Sequence, residues 1–240
     1  MKKEDKTTHI PELLERLKLF HEEAGSYTER LKNIQTGEEL EREHLEKAYQ
    51  DFEKIYINTI SILSDAIDAR SKYTSGHSSR VRHYVEMMGK KLDLQEDELK
   101  TFCLAATLHD IGRMGINNAI WEKPGGLTKE EYEVVKSYPE ESADILVSIS
   151  LLKSVSIIVR HHRENYDGTG YPDHLKGEEI PLGARILSVI DAFDAMISER
   201  PYRERIDPEV AIEELKNKKG TQFDPAIVDT FISLWQKMYG

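Results

Sequence analysis

The chain has 240 residues, 39% of them hydrophobic and 32% charged, with a formal net charge of −11. That length suits one medium domain with an extension, and the acidic balance excludes a generic DNA or RNA binder, whose affinity comes from basic groups neutralising phosphates. No apolar run approaches the roughly 18 residues of a membrane span, no apolar stretch follows the charged start, and a lone cysteine excludes an internal disulfide, so a cytoplasmic protein is expected.

Apolar positions recur at intervals of three and four with no clean period-2 alternation, which predicts an all-α fold. Leu13, Leu14, Leu17 and Phe20 suggest a short amphipathic helix opening near Pro11, with breaks at Gly25-Ser26 and Thr36-Gly37. A long helix is expected from Glu38 toward Ala69. Its Leu45, Ala48, Phe52, Ile55, Thr59 and Ile62 form a heptad-like seam, with Thr59 the weak member. That seam reads either as a face packed on its own domain or as a dimerising or signal-transmitting surface. Residues 1–53 are therefore assigned to an N-terminal helical extension and residues 54–240 to a helical bundle domain.

Within the bundle, helices are expected over about 78–92, from Gln95 to His109-Asp110, after Thr128 as N-cap, from Pro139, over 151–161 and over 181–200. Asp207-Pro208 and Asp224-Pro225 open two more, with proline at the first helical position. Pro124-Gly125-Gly126 is a loop. Cys103, in an apolar run, is read as a small buried hydrophobe.

Of the nine histidines, His9, His21, His44 and His83 lie in charged or helical surface contexts. His77, His109, His161 and His162 instead sit beside glycine, aspartate or loop punctuation, where side chains can converge. With Asp110 and Asp191 they offer imidazole and carboxylate, a donor set that suits Fe, Mn, Zn or Ni, while one cysteine cannot make a thiolate cluster. An aspartate can bridge two metals, and a metal pair about 3.5–4 Å apart clamps the attacking and leaving oxygens of a phosphoryl displacement. Gly168 and Gly170 in the following loop permit positive φ and close backbone approach, Tyr171 adds an aromatic face, and Pro172 stiffens the exit.

His109-Asp110, His77 in Tyr73-Thr74-Ser75-Gly76-His77-Ser78, His161-His162, Asp167-Gly168-Thr169-Gly170-Tyr171-Pro172 and Asp191 in Asp191-Ala192-Phe193-Asp194-Ala195 together resemble the HD-GYP subgroup of the HD-domain phosphohydrolases. Glu178-Glu179-Ile180-Pro181-Leu182, Arg200-Pro201-Tyr202-Arg203 and Gly220-Thr221-Gln222-Phe223-Asp224-Pro225 extend the similarity, which runs from about Asn58 to Trp235. The resemblance implies an HD-type helical bundle and a metal-dependent phosphodiesterase that converts cyclic di-GMP to pGpG, GMP or both. It implies one or two divalent ions, iron or manganese. His77, His109, Asp110 and Asp191 would hold the first, with Asp110 bridging to a second that His162 would also touch. It further gives Asp110 and Arg113 catalytic roles, with Arg113 standing where the family usually has lysine. Gly170, Tyr171 and Pro172 would abut the guanine base and restrict the mouth, and Arg200 and Arg203 would contact phosphate.

The sequence departs from the family at the second metal. A histidine expected before Pro139 is Tyr138, whose phenol is a poor ligand for a divalent ion. Counted back from Asp167 through Glu164, the two expected histidines fall on His162 and Arg163, leaving His161 one residue early and its role open. Arg163 would replace that metal with its guanidinium or swing out to bind phosphate. Tyr73 stands where some members carry a glutamate for a third metal, and His174 where a small residue is usual. Three readings follow: a cyclic di-GMP phosphodiesterase with activity reduced or lost; a degenerate sensor or interaction module, dimerising or signalling through its N-terminal helices; and a generic one-metal phosphohydrolase of mononucleotides or (p)ppGpp.

Overall fold

The computed structural model describes residues 18–19, 21–23, 25–26, 39–69, 76–121, 123, 125–199 and 205–239. The core of the expected helix near Pro11, and Tyr73, Arg200 and Arg203, lie outside the described residues. Those described form helices and turns without a sheet; Lys219 and Phe223 make an isolated bridge. No helix among them is long and apolar enough to cross a membrane.

The chain divides into two units, Met1–Thr59 and Ile60–Gly240. Helix α1 (Glu39–Asp68) runs through the division, and Ile55 and Ile62 of its seam are exposed. The second unit contains α2 (His77–Lys91), α3 (Glu96–Leu108), a 3-10 turn (Ile111–Gly115), the single turn α4 (Asn118–Trp121), α5 (Lys129–Lys136) and α6 (Tyr138–Val147). It continues through a 3-10 turn (Ser150–Leu152), α7 (Lys153–His161), a further 3-10 turn (Gly177–Glu179), α8 (Leu182–Ile197), α9 (Pro208–Asn217) and α10 (Pro225–Tyr239).

Local chemistry explains most boundaries. Thr128 and Glu131 make a reciprocal capping box at α5, each satisfying a backbone N–H of the other's residue. Asp207 caps α9 by accepting from Glu209 N at 2.9 Å, and Asp224 caps α10 by accepting from Ala226 N at 2.8 Å. Two expected boundaries move. The segment expected as one helix over 151–161 opens as a 3-10 turn, and the helix expected to reach Arg200 ends at Ile197, with Ser198 already extended. Cys103, expected to be buried, is half-buried.

Helix α8 is the central element. Ala184, Ile186, Leu187, Val189, Ile190, Phe193 and Met196 are all buried, more than one apolar stripe of a surface helix would need. Phe193 bolts three helices together: it packs edge-on against Tyr84 of α2 at 6.1 Å, Phe231 of α10 at 4.9 Å and Trp235 of α10 at 4.7 Å between ring centroids. A second small core joins Ile116, Val135 and Tyr138, with Ile120 and Trp121 packed on it.

Two contacts fix where α2 begins. Asp68, the last residue of α1, accepts from Ser78 N at 2.8 Å and from Ser78 Oγ at 3.2 Å. Just before it on the same helix, Ser64 Oγ donates to the Thr107 carbonyl of α3. The start of α2, which is His77, is thereby tied to α1 and α3.

Because Phe193 is fully buried among three aromatic rings, Phe193→Ala should destabilise the domain by about 3–5 kcal/mol. Urea unfolding followed by circular dichroism checks this; a loss under about 1 kcal/mol would mean that the cluster does not anchor α8.

Candidate metal centre

Three helix ends and the middle of a fourth helix bring the site together. His77 opens α2, His109 and Asp110 follow the end of α3, His162 and Arg163 follow the end of α7, and Asp191 projects from the middle of α8. The carboxyl ends of α3 and α7 add partial negative charge, which favours a cation. The turn after α3 is pinned by Ser142 of α6, whose hydroxyl accepts from Gly112 N at 2.8 Å and donates to the His109 carbonyl at 3.1 Å.

His77, His109, Asp110 and Asp191 converge with almost no exposure to solvent. His77 Nε2 lies 3.3 Å from His109 Nε2, 3.2 Å from Asp191 Oδ1 and 3.7 Å from Asp110 Oδ2. His109 Nε2 lies 3.4 Å from Asp110 Oδ2 and 3.8 Å from Asp191 Oδ1. The donor atoms of His77, His109 and Asp191 all fall within 4.8 Å of one another.

The opposite face of each imidazole decides which nitrogen is free. His77 Nδ1 meets Asp194 Oδ2 at 2.8 Å, and His109 Nδ1 meets the Ala106 carbonyl at 2.8 Å. Both partners can only accept, so each Nδ1 carries the proton and each Nε2 turns a lone pair inward. Asp194 is itself held by Arg80, through Nε at 2.7 Å and Nη2 at 2.9 Å. Two imidazole lone pairs thus face two carboxylates, and neither oxygen of Asp110 nor of Asp191 has a hydrogen bond.

Buried polar atoms are nearly always partnered, and Asp110 Oδ2 and Asp191 Oδ1, the two oxygens that no arginine meets, face only the imidazoles and need another partner. A divalent ion with bonds of about 2.0–2.1 Å needs donors roughly 3–3.4 Å apart, close to the spacings found here. The residues fit a metal. Burial works to lower the His77 pKa, yet the carboxylates of Asp191, Asp194 and Asp110 raise it to about 9, so without an ion a proton holds the inward Nε2 and a bound cation would displace it. Burial works to raise the carboxyl of Asp191, but Arg163 and the two histidines hold it well below the ordinary range; Arg113 and the histidines likewise lower Asp110.

His162, Tyr138 and Arg163 form a separate chain of hydrogen bonds. His162 Nδ1 donates to the Val159 carbonyl at 2.6 Å, leaving Nε2 as an acceptor. Tyr138 Oη lies 2.9 Å from that Nε2, and Arg163 Nε donates to Tyr138 Oη at 2.5 Å. The phenol O–H therefore donates to His162 Nε2. Burial keeps Tyr138 protonated by raising its pKa, and burial with the neighbouring Arg163 charge lowers His162 to about 3. Arg163 Nη2 also reaches Asp191 Oδ2 at 2.5 Å, and Arg113 Nε reaches Asp110 Oδ1 at 2.8 Å. The Arg113 guanidinium lies over Trp121 at 4.5 Å and Tyr138 at 5.4 Å.

His161 faces elsewhere. Its Nε2 meets Asp173 Oδ2 at 2.9 Å, and Arg160 grips the same carboxylate through Nε at 2.7 Å and Nη2 at 3.0 Å. The loop over 163–173 is held at several points. Glu164 Oε1 accepts from Asp173 N at 2.7 Å, and Tyr171 N donates to the Arg163 carbonyl at 3.2 Å. Tyr166 N and Asp167 N donate to the carbonyls of Gln222 and Thr221, so the Gly-Thr-Gln-Phe segment backs the loop. Of the two loop glycines, only Gly168 has positive φ, at 87°. Gly170 serves close approach: a Cβ there would lie 2.1 Å from Asn165 N. Tyr171 and Pro172, joined by a cis peptide, are half-buried beside Arg163.

Sequence reasoning did not assign Asp194, Arg80, Ser142 or Trp121. Asp194 was the most findable: a second carboxylate three residues after Asp191, inside an apolar helical run, shares its helix face.

A family model for the HD domain matches residues 61–227. The cyclic di-GMP phosphodiesterase response regulator RpfG of Xanthomonas campestris pv. campestris is 39% identical over 176 residues, covering 72% of this chain and 47% of that protein. The 3'3'-cGAMP-specific phosphodiesterase 3 of Vibrio cholerae is 35% identical over 75% of this chain and 39% of its own length. A cyclic di-GMP phosphodiesterase of Thermotoga maritima is 33% identical over 91% of this chain and 59% of that protein. The chain thus spans between 39% and 59% of these three relatives. Among solved structures, a cyclic GMP-AMP specific phosphodiesterase of V. cholerae shares the fold with a TM-score of 0.59 at 22% identity, covering 74% of this chain and 48% of that one. An HDGYP protein from Bdellovibrio bacteriovorus shares it with a TM-score of 0.57 at 19% identity, over 67% of this chain and 51% of that one. The family match over most of the bundle, with relatives this similar, places the chain in the HD-domain family, in its HD-GYP branch.

Proposed function

We propose that the chain is a metal-dependent phosphodiesterase that opens a cyclic dinucleotide, cyclic di-GMP foremost, to pGpG, GMP or both, in the cytoplasm. One observation carries this reading: the inward Nε2 atoms of two imidazoles and two buried carboxylate oxygens that no arginine meets, Asp110 Oδ2 and Asp191 Oδ1, converge beside the Tyr171–Pro172 lip. Relatives named for cyclic di-GMP and for 3'3'-cGAMP support the substrate class.

His77, His109, Asp110 and Asp191 would hold a divalent ion, with iron or manganese proposed. Such an ion polarises a phosphoryl oxygen and acidifies a water to a nucleophile near neutral pH. The residues do the rest. Asp194 and the Ala106 carbonyl hold the two imidazoles in the ligating tautomer. Burial of the cluster keeps bulk water from screening its charges. Arg113, stacked on Trp121, presents a fixed guanidinium at the Asp110 side, where it can steady phosphate charge without giving up a proton. Gly170 lets the loop close against Asn165, which sets Tyr171 as an aromatic wall for a base. Arg200 and Arg203 are retained as phosphate contacts from the sequence. The exposed Ile55 and Ile62 on α1 support pairing with a second copy or a signalling partner.

A second reading, binding without turnover, is favoured by the capped lone pair of His162. Incubating the manganese- or iron-loaded chain with cyclic di-GMP and 3'3'-cGAMP, followed by chromatography, separates the two. Linear dinucleotide or GMP is the expected product. Tight binding with no product would leave the sensor reading, and hydrolysis of (p)ppGpp alone would overturn both.

Asp194→Asn should lower metal affinity about 10–100-fold, because His77 would lose the carboxylate that fixes its tautomer. Competition against a coloured chelator reads this, with circular dichroism as the folding control. Unchanged affinity would remove Asp194 from the account.

A further inference from the structure

We propose that this site takes one divalent ion, and that Arg163 and Arg113 supply the remaining positive charge to the substrate's phosphate. The proposal rests on the metal-binding reading above and specifies how many ions it involves.

Lone-pair accounting comes first. A second ion would need donors on the far side of Asp110 and Asp191. The outer oxygen of Asp191, Oδ2, is already met by Arg163 Nη2 at 2.5 Å, and Asp110 Oδ1 by Arg113 Nε at 2.8 Å. The nearest further imidazole, His162, has its free lone pair occupied by the Tyr138 hydroxyl at 2.9 Å. That hydroxyl is held in turn by Arg163 Nε at 2.5 Å, so it cannot turn away without breaking two contacts. Tyr138 is 2% exposed and packed edge-on against Trp121 and His162.

Charge accounting agrees. Asp110, Asp191 and Asp194 are balanced by Arg80, Arg113 and Arg163, with the histidines neutral when they ligate. One divalent ion adds two positive charges to a cluster that is already near balance. A second ion would double that charge in a buried space, directly against two guanidiniums. Arg163 is suited to take the substrate's phosphate. Its side chain is 27% exposed, and its carbonyl is bonded to Tyr171 N, so it stands where the loop meets the cluster. A planar guanidinium can grip two phosphate oxygens at once.

Metal analysis of the full chain, purified without oxygen and loaded with manganese or iron, is the test. One ion per wild-type chain is expected, with anomalous density among His77, His109, Asp110 and Asp191. Tyr138→His with Arg163→His should raise the count toward two. Arg163→Gln should keep one ion, because Tyr138 still caps His162. It should raise KM for cyclic di-GMP, or Kd if no turnover is seen, about tenfold or more. Two ions per wild-type chain, or an unchanged KM in Arg163→Gln, would overturn the proposal and leave the phosphodiesterase reading standing. A chain that binds no ion would overturn the metal-dependent reading as well. If the double variant fails to fold, the wild-type count and the Arg163→Gln measurement still decide.

Discussion

Burying an ionised carboxylate without hydrogen bonds is costly, and this fold does it twice in one place. Asp110 and Asp191 are 3% and 1% exposed, and none of their four oxygens has an aligned hydrogen-bond donor. Much of the surrounding structure serves that arrangement. Phe193 locks α8 to α2 and α10 within two residues of Asp191, and Asp68 fixes the first turn of α2 at His77. Ser142 clamps the turn that carries Asp110. An ordinary core would neutralise the two aspartates with hydrogen bonds. This one surrounds them with imidazoles turned lone-pair inward and with arginines, leaving a polar site pre-organised for a cation.

What the sequence made legible was mostly local. Thr128, Asp207 and Asp224 announce helix starts because a capping side chain acts within three residues of itself. The long helix Glu39–Asp68 is readable because thirty residues repeat one period. The short pieces over 111–115 and 118–121 were not, since four or five residues carry too little periodicity to stand out. His77, His109, Asp110 and Asp191 are far apart in the chain, and only their resemblance to a family grouped them before the fold did. The link from Arg163 through Tyr138 to His162 could not be read from either sequence pattern or resemblance. It spans 25 residues and depends on which atom of each side chain holds a proton.

Neighbouring residues in this chain also have opposite surroundings. His161 and His162 leave the end of α7 about 100° apart, one toward Asp173 near the surface and the other into the buried cluster. The same division falls between His109, whose Nδ1 proton is held by its own helix, and Asp110, which turns toward Arg113 and the two imidazoles. Helix ends do this economically, because a turn that stops early can aim two successive side chains at different targets.

The loop after α7 has almost no slack. Gly170 lies against Glu164 and Asn165 closely enough that a methyl group would collide with backbone, and Tyr171, Asp173, Tyr166 and Asp167 are each tied by a backbone amide. A chain of this length cannot gain or lose a residue there without pulling Arg163 out of the cluster. Change at this corner is therefore confined to exchanging side chains on a fixed track, and a length change between 163 and 173 would mark a descendant that has abandoned the site.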